Sequence, residues 1–291
     1  MKRMRLPLLV AFAVIVCVAG FSVLAEAQNG NSDQNKSTED DLRSGKNFME
    51  TKVYSAEQDA RILELFEGLR VADVADGMDK AGLAHIGRMS PEIHPSWKDT
   101  EEFTHRFIGI AVTARYVPTN HPIPQNLDTE EFDRWVGEWY GEKSPEAFKP
   151  LIREGTALVI DDASSEDVGS IGSNNIMSWR LAGCVGVVTD STARDTDEIA
   201  TEGIPLYFRH PGRGIRPGRN ELESVNRPIE CGGVLVEPGD VIVADGDGVI
   251  VVPRARAKEV AIYAGATLES DKSGRRRLYK ELGIPLDKSV K

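Results

Sequence analysis

Short runs of β-forming residues recur through the chain from residue 108 onward, and helical segments separate some of them. Residues 108–117 alternate β-forming side chains, a pattern typical of a strand. The last two runs flank Asp245-Gly246-Asp247-Gly248, a turn sequence that predicts a β-hairpin. The predicted strands cover residues 108–117, 156–160, 185–189, 205–208, 234–236, 241–244 and 249–252. This order predicts a layered α/β (α+β) domain and argues against an all-helical one.

Helical spacing of apolar residues predicts helices over 55–69 and 71–83, and a long charged helix runs from 255 towards 282. Residues 118–150 stand apart, because four aromatic side chains cluster among acids between prolines. We predict a helical insertion there. Its sequence is compatible with a lid, a subunit contact or an ordinary satellite core.

The N-terminus has the pattern of an export signal. Three basic residues precede an apolar run over 6–24, and Ala25-Glu26-Ala27 supplies a cleavage site. We therefore predict a signal peptide over 1–27 and an exported, periplasmic or secreted protein. A retained membrane anchor is the alternative, since the run approaches the roughly 20 residues that span a bilayer. Residues 28–52 are polar and predict a disordered linker, which leaves residues 53–291 as one domain.

Charge and cysteine content exclude several classes of protein. The net charge of −11 repels nucleic acid and anionic lipid, so we expect no nucleic-acid partner and no stable membrane association after cleavage. Cys184 and Cys231 have no zinc-site spacing. Burial in the core is the favoured interpretation for both, and a disulfide between them is the alternative.

The segment from Gly172 to Glu198 carries the best candidate site. Gly172-Ser173-Asn174-Asn175 opens a predicted helix, with Ser173 or Asn174 as the N-cap. A helix N-terminus binds carboxylate or phosphate through free N–H groups and the helix dipole. Because every helix has an N-terminus, this feature alone is weak evidence.

Arg194-Asp195 follows the predicted strand 185–189, and open α/β sheets bind their ligands where such strands end. A guanidinium can bind a carboxylate through two hydrogen bonds, and a neighbouring aspartate can hold a hard cation such as Mg²⁺. The pair therefore suits a 2-oxo acid. A local salt bridge that closes the loop explains it equally well.

The ordered pattern of this segment resembles a known family. Gly172, then Ala182-Gly183-x-x-Gly186-Val187-Val188-x-Asp190, then Arg194-Asp195-x-x-Glu198, is similar to the signature of the RraA-like family. That family contains class II 4-hydroxy-4-methyl-2-oxoglutarate / 4-carboxy-4-hydroxy-2-oxoadipate aldolases and the regulator of ribonuclease E activity A. Further matches lie at 69–76, 108–113, 238–240 and 245–249, whereas the insertion at 118–150 is outside the pattern.

The resemblance implies roles for particular residues. Arg194 would bind the substrate carboxylate and enolate oxygen, and Asp195 would ligate a divalent cation, Mg²⁺ or Mn²⁺, with water in the remaining positions. The amides of Gly172, Ser173, Asn174 and Asn175 would hold the substrate. Supporting roles fall on three acids: Asp190, Glu198, which would order metal-bound water, and Glu269, which would approach from a neighbouring subunit.

The resemblance also implies a β/β/α swivelling-type fold, assembled as a homotrimer or homohexamer. The expected activity is that of a carbon–carbon lyase, by aldol cleavage or by oxaloacetate decarboxylation through a pyruvate enolate. Two departures put the substrate in question: Ser173 stands where the aldolases carry an acid, and Ser191 replaces a glycine.

Two other functions occur under the same family name. One is a non-catalytic regulatory protein of the ribonuclease-regulator type. The other is the methyltransferase label of some members, which this chain fits least because it has no glycine-rich turn suited to S-adenosylmethionine. The arginine-rich loop 209–219 is compatible with binding a second substrate carboxylate, with a solvated loop or with a subunit contact.

Overall fold

The structure is a computed structural model that describes residues 38–162 and 167–290. The predicted signal peptide lies outside the described residues, so export stays a prediction. Among the described residues, no helix has the length and apolar character needed to cross a bilayer.

A short helix, α1 (Glu39–Arg43), lies in the segment predicted as a disordered linker. Thr38 caps it, because the Asp41 backbone N–H donates to Thr38 Oγ1 over 3.2 Å and the Asp41 carboxylate accepts from the Thr38 backbone N–H. The helix forms through these local contacts, since none of its residues is buried. The expectation of no regular structure is therefore wrong for these five residues. A separate compact unit begins at Thr51.

Six helices and twelve strands of this second unit lie within the described residues. The helices are α2 (Ala56–Phe66), α3 (Val71–Lys80), α4 (Thr129–Glu142), α5 (Ser173–Leu181), α6 (Thr196–Glu202) and α7 (Ala257–Leu282). The strands are β1 (His94–Pro95), β2 (Phe107–Pro118), β3 (Thr156–Asp161), β4 (Cys184–Thr189), β5 (Thr192–Ala193), β6 (Leu206–Phe208), β7 (His210–Pro211), β8 (Asn220–Val225), β9 (Ile229–Cys231), β10 (Val234–Val236), β11 (Val241–Asp245) and β12 (Gly248–Val252). The elements predicted from spacing are thus present, with ends that differ by a few residues.

One mixed sheet organises the unit, in the strand order β1-β6-β4-β3-β2-β11-β12, with β8 also paired to β2. The central pairs β2–β3, β3–β4 and β4–β6 are parallel. The predicted hairpin is confirmed, because β11 and β12 pair antiparallel from Val241↔Val252 to Asp245↔Gly248. The four strands of these pairs therefore have their C-terminal ends on the same edge of the sheet, where the candidate site lies.

The sheet separates two apolar layers. Along β2, Val112 packs with α5 and α6, and Ile110 on the same face packs with α2, α3 and α7. The intervening Ala111 packs on the other face, against the β9–β10 hairpin. This alternation follows from the two-residue period of a strand. The expected β/β/α layering is confirmed.

The two cysteines lie in different apolar clusters, Cys184 with α5 and Cys231 with the β9–β10 hairpin. Both are buried and neither forms a disulfide. Their prediction as core residues is confirmed, and the disulfide alternative is wrong. Burial raises the pKa of the Cys184 thiol to about 11, so it stays protonated at neutral pH.

The glycine at position 186 of the family pattern has a packing role. A Cβ built on Gly186 would lie 2.3 Å from Cδ1 of the Phe107 ring. That ring is buried and packs edge-on against Tyr207 at a centroid distance of 5.7 Å. Only a residue without a side chain allows β4 and the Phe107 ring to approach this closely.

We expect Gly186→Ala to destabilise the domain by about 1–3 kcal/mol, because the buried Phe107 ring must move to admit a methyl group. Chemical denaturation measures the change. Gly137→Ala is the matched control, since a Cβ on Gly137 of α4 meets nothing within 4 Å, and it should be neutral or stabilising. Equal stability of the two variants would contradict the packing role of Gly186.

Candidate functional site

The site begins where parallel strand β4 ends. The chain continues from β4 through β5 and delivers Arg194 and Asp195 to the edge of the sheet. The Arg194 backbone N–H donates to the Ile171 carbonyl over 2.8 Å, which fixes this stretch beside the start of α5. Asp195 has a left-handed backbone, with φ 57° and ψ 37°, and precedes α6. An aspartate tolerates this conformation better than most residues do.

The N-terminus of α5 differs from the prediction in one respect. Gly172 is the N-cap, with an extended backbone, and both Ser173 and Asn174 lie inside the helix. The prediction of Ser173 or Asn174 as the cap is wrong because Ser173 bonds to another element. Its backbone N–H donates to Asp195 Oδ2 over 3.1 Å, and its Oγ lies 3.5 Å from the same oxygen.

Gly172 makes room for this contact. A Cβ at position 172 would lie 2.8 Å from Asp195 Oδ2 and 3.6 Å from Arg194 Nε. The backbone of Gly172 has φ −116°, a value open to any residue, so the requirement for glycine comes from space rather than conformation. The absence of a side chain at position 172 therefore allows the Asp195 carboxylate to reach the first turn of α5.

Arg194 and Asp195 have side chains close together and open to solvent. Arg194 Nε lies 3.8 Å from Asp195 Oδ1, and the two side chains are 41% and 37% exposed. An exposed ion pair at this distance adds little to stability. Among the described residues, Arg194 has no other carboxylate within ion-pair range. The guanidinium is therefore accessible to a ligand.

Arg194 and Asn175 line a cleft of about 370 Å³. Asn175 is oriented at both ends of its amide: Oδ1 accepts from the Gly172 backbone N–H over 3.3 Å, and Nδ2 donates to Glu146 Oε1 over 2.6 Å. Asn174, by contrast, is not among the residues that line the cleft. The structure therefore brings together Gly172, Ser173, Asn175, Arg194 and Asp195.

The predicted insertion forms one wall of the cleft, through Tyr140, Ser144 and Glu146. Two contacts fasten it to the domain: Trp139 Nε1 donates to the Asn220 carbonyl over 3.1 Å, and the Phe148 ring packs edge-on against the Trp179 ring at 5.4 Å. The insertion packs as a satellite core and lines the candidate site as well. Sequence reasoning missed this second role, because the insertion matches no family motif.

One arginine of the 209–219 loop reaches the cleft. Arg216 is buried, stacks 3.5 Å over the Tyr116 ring and lies 3.4 Å from the buried Asp162 carboxylate. Arg209 instead donates to the Asp190 carbonyl, and the exposed Arg213 pairs with Asp167 over 2.7 Å. Arg216 therefore lines the cleft, whereas Arg209 and Arg213 contact other parts of the protein.

Comparison with known proteins places this arrangement in a family. The RraA-like family model, described as Aldolase/RraA, matches residues 71–251, more than half of the chain. The chain belongs to the RraA-like family. The resemblance stated from the sequence is confirmed. The matched range, 71–251, spans the 118–150 insertion.

Individual relatives are more distant. A protein of Halalkalibacterium halodurans named as a putative 4-hydroxy-4-methyl-2-oxoglutarate aldolase is 28% identical over 42% of this chain and 58% of its own. The chain thus spans little more than half of that relative. An uncharacterized Pseudomonas syringae protein superposes with a TM-score of 0.58 and 25% identity, over 80% of this chain and 98% of its own. Streptomyces coelicolor RraAS2, titled a member of the RNase ES inhibitor RraA family, shares the fold at a TM-score of 0.57 and 19% identity, with 78% and 98% covered.

The supporting acids of the RraA-like pattern lie in different environments. Asp190 is buried: its Oδ1 accepts from the Asp162 backbone N–H over 3.0 Å and its Oδ2 from the Gly232 N–H over 3.4 Å. It therefore fastens the β9–β10 hairpin to the end of β3. Glu198 is exposed on α6, and Glu269 is exposed on α7, which packs mainly on α3. The role predicted for Glu269 concerns a neighbouring subunit and stays a prediction.

Asp161, at the end of β3, has an unusual titration. Burial, and then the charge of Asp190, raise its pKa to about 7 despite Arg115 Nε at 3.3 Å. Since the ordinary pKa is 3.8, the folded protein holds a proton between about pH 4 and 7 that the unfolded chain releases. The contribution to stability is therefore present at low pH and is lost as the pH rises towards 7.

The free energy of unfolding of the parent protein should fall between pH 5 and pH 8. We expect this fall to be smaller in Asp161→Asn, by up to about 2 kcal/mol, because the titrating carboxyl is absent. Denaturant titrations at the two pH values measure it. Asp133→Asn, on the exposed surface of α4, removes the same charge and should leave the pH dependence as it is in the parent. Identical pH dependence in the parent and Asp161→Asn proteins would show that Asp161 does not titrate in this range.

Proposed function

We propose that this protein is a divalent-metal-dependent carbon–carbon lyase that acts on a small 2-oxo acid. One observation carries the proposal: Arg194 and Asp195 lie side by side, partly exposed, with the Asp195 carboxylate fastened to the first turn of α5. A pair that served only to close the loop would not need the space that Gly172 leaves free. The name of the Halalkalibacterium relative supports the same class of reaction.

Arg194 is suited to bind the 2-oxo acid end of the substrate. Its planar guanidinium can donate to a carboxylate and to the neighbouring oxygen on which enolate charge develops. The Gly172 amide donates to Asn175 and the Ser173 amide donates to Asp195. The Asn175 amide has no acceptor among the described residues, and Asn175 lines the cleft, so it is the α5 amide available to help. The substrate-binding role predicted for the amides of Gly172–Asn175 thus narrows to that of Asn175.

Asp195 is the residue suited to hold the metal. Its Oδ2 accepts from Ser173, whereas its Oδ1 faces the side of Arg194. Among the described residues, no group of three His, Cys, Asp or Glu side chains converges as a metal site. A single carboxylate with water in the other positions fits Mg²⁺ or Mn²⁺, which keep several water ligands. Such an ion supplies Lewis-acid stabilisation of the enolate.

Aldol cleavage of the 4-hydroxy-4-methyl-2-oxoglutarate type and decarboxylation of oxaloacetate both leave a pyruvate enolate, so one site can serve both reactions. The residues on this chain stabilise the enolate rather than supply its proton. Ser173 offers a hydroxyl where the aldolases carry an acid, and that hydroxyl lies 3.5 Å from Asp195. We expect the proton to come from water, and the preferred substrate to differ from that of the aldolases.

We expect pyruvate release from oxaloacetate or 4-hydroxy-4-methyl-2-oxoglutarate with Mg²⁺ and its loss with EDTA, corrected for the enzyme-free rate. Arg194→Ala should lower kcat/KM at least about 100-fold, the usual effect of removing one donor to a developing oxyanion. Arg194→Lys should not restore the rate, because an ammonium lacks the two-pronged geometry. Asp195→Asn, which tolerates the left-handed backbone, should abolish the metal-dependent release of pyruvate.

Arg213→Ala is the matched control, since that arginine is 87% exposed and pairs only with Asp167 among the described residues. It should keep the parent activity. Release undiminished in Arg194→Ala, or no metal-dependent release from either compound or from 4-hydroxy-2-oxo acids with an uncharged tail, would defeat the lyase proposal and favour a non-catalytic regulatory role.

A further inference from the structure

Within the part of the chain that the structure describes, two buried hydrogen-bond donors of the cleft lack a partner. Trp179 and Ser144 are each 2% exposed and both line the cleft that contains Arg194. Among the described residues, neither Trp179 Nε1 nor Ser144 Oγ has a hydrogen-bond partner. Leaving a buried polar group without a hydrogen-bond partner is unfavourable. Two such groups in one cleft wall indicate that a bound molecule, rather than α5 or the insertion, supplies their hydrogen-bond acceptor.

Other contacts fix the positions of both side chains. The Trp179 ring packs against Phe148 at 5.4 Å, and the Ser144 backbone N–H donates to the Trp139 carbonyl over 2.9 Å. The two residues belong to different elements, α5 and the segment after α4. The unpaired donors therefore lie in a wall that is already held together by packing and backbone bonds.

The charges around these donors favour an uncharged acceptor. The Glu146 carboxylate lines the same wall and is held by Asn175 Nδ2 and Lys149 Nζ, each at 2.6 Å. Arg216, which also lines the cleft, is already paired with the buried Asp162, and Arg194 is assigned to the 2-oxo acid end. Among the described residues that line the cleft, no further cation is left to balance a second substrate carboxylate. A hydroxyl or carbonyl oxygen needs no such cation.

We propose that Ser144 and Trp179 form a specificity subsite that donates hydrogen bonds to an uncharged oxygen on the substrate's tail, the part distal to the 2-oxo acid group. The substrate class is then a 2-oxo acid with a hydroxyl or carbonyl tail rather than a second carboxylate. The inference rests on the proposed function, because Arg194 must hold the 2-oxo acid end for the tail to reach this wall. The 118–150 insertion supplies one of the two donors.

Three 4-hydroxy-2-oxo acids that differ only in the tail test the subsite: methyl (4-hydroxy-2-oxopentanoate), hydroxymethyl (4,5-dihydroxy-2-oxopentanoate) and carboxylate (4-hydroxy-2-oxoglutarate). Calorimetric binding and pyruvate release are measured for each with Mg²⁺. We expect the hydroxymethyl compound to bind about 10-fold more tightly than the other two. Ser144→Ala and Trp179→Phe should each remove most of this preference and leave binding of the methyl compound unchanged.

Stability separates a binding role from a packing role. Ser144→Ala removes an unpaired buried hydroxyl, so the Tm should not fall. Ser96→Ala is the matched control, because its Oγ is also buried and unpaired but lies outside the cleft, and it should not change tail preference.

Each outcome decides between the two proposals. If the parent protein prefers the hydroxymethyl compound in binding, the Ser144→Ala and Trp179→Phe variants lose that preference, and no pyruvate is released, the subsite is supported and the lyase proposal is defeated. If pyruvate release depends on Arg194 but the protein shows no preference among the three tails, the subsite alone is overturned. The same holds if Ser144→Ala and Trp179→Phe both keep the preference. Failure of all three acids to bind would overturn the subsite, and it would overturn the lyase as well if oxaloacetate also gave no metal-dependent pyruvate release.

Discussion

The hydrogen bond from the Ser173 backbone N–H to the Asp195 carboxylate joins the side-chain half of the candidate site to the start of α5. It connects the first turn of α5 to the residue before α6, and it exists because Gly172 has no side chain to occupy the space. The left-handed backbone of Asp195 turns the carboxylate towards α5. Arg194, one position earlier, is thereby left beside the cleft with its guanidinium accessible.

Part of the cleft is added to this frame by the 118–150 insertion, which lies outside the sequence motifs that identified the family. The insertion reaches Asn175 through Glu146 and packs on Trp179 through Phe148. This part of the cleft is thus formed by residues other than Arg194 and Asp195, to which we assign the binding of a 2-oxo acid. A lyase can keep one chemical step and change its substrate by altering this part of the cleft, which is the physical reason not to transfer a relative's substrate to this chain.

The sequence predicted what local patterns determine. Alternation and turn chemistry located the strands and the Asp245–Gly248 hairpin, and the ordered motif placed Arg194 and Asp195 next to the start of α5. The layered fold came from the family resemblance. The N-cap was wrong because Ser173 has its acceptor in Asp195, 22 residues along the chain. A capping rule that considers only near neighbours cannot detect such a partner.

Tertiary contacts also explain what sequence reasoning left open. Of the arginines in the 209–219 loop, Arg216 reaches the cleft through Tyr116 and Asp162, which belong to β2 and the end of β3. The donors of Ser144 and Trp179 become informative only when their lack of a partner is seen in three dimensions. Neither observation has a signature in residue spacing.

The central claim is that Gly172 keeps the Asp195 carboxylate at the first turn of α5. Gly172→Ala tests it most directly, through kcat/KM for metal-dependent pyruvate release together with the Tm. The added Cβ displaces a flexible, partly exposed carboxylate, so the account predicts a loss of activity of at least about 100-fold with a Tm close to that of the parent. Full activity in a folded Gly172→Ala protein would contradict it.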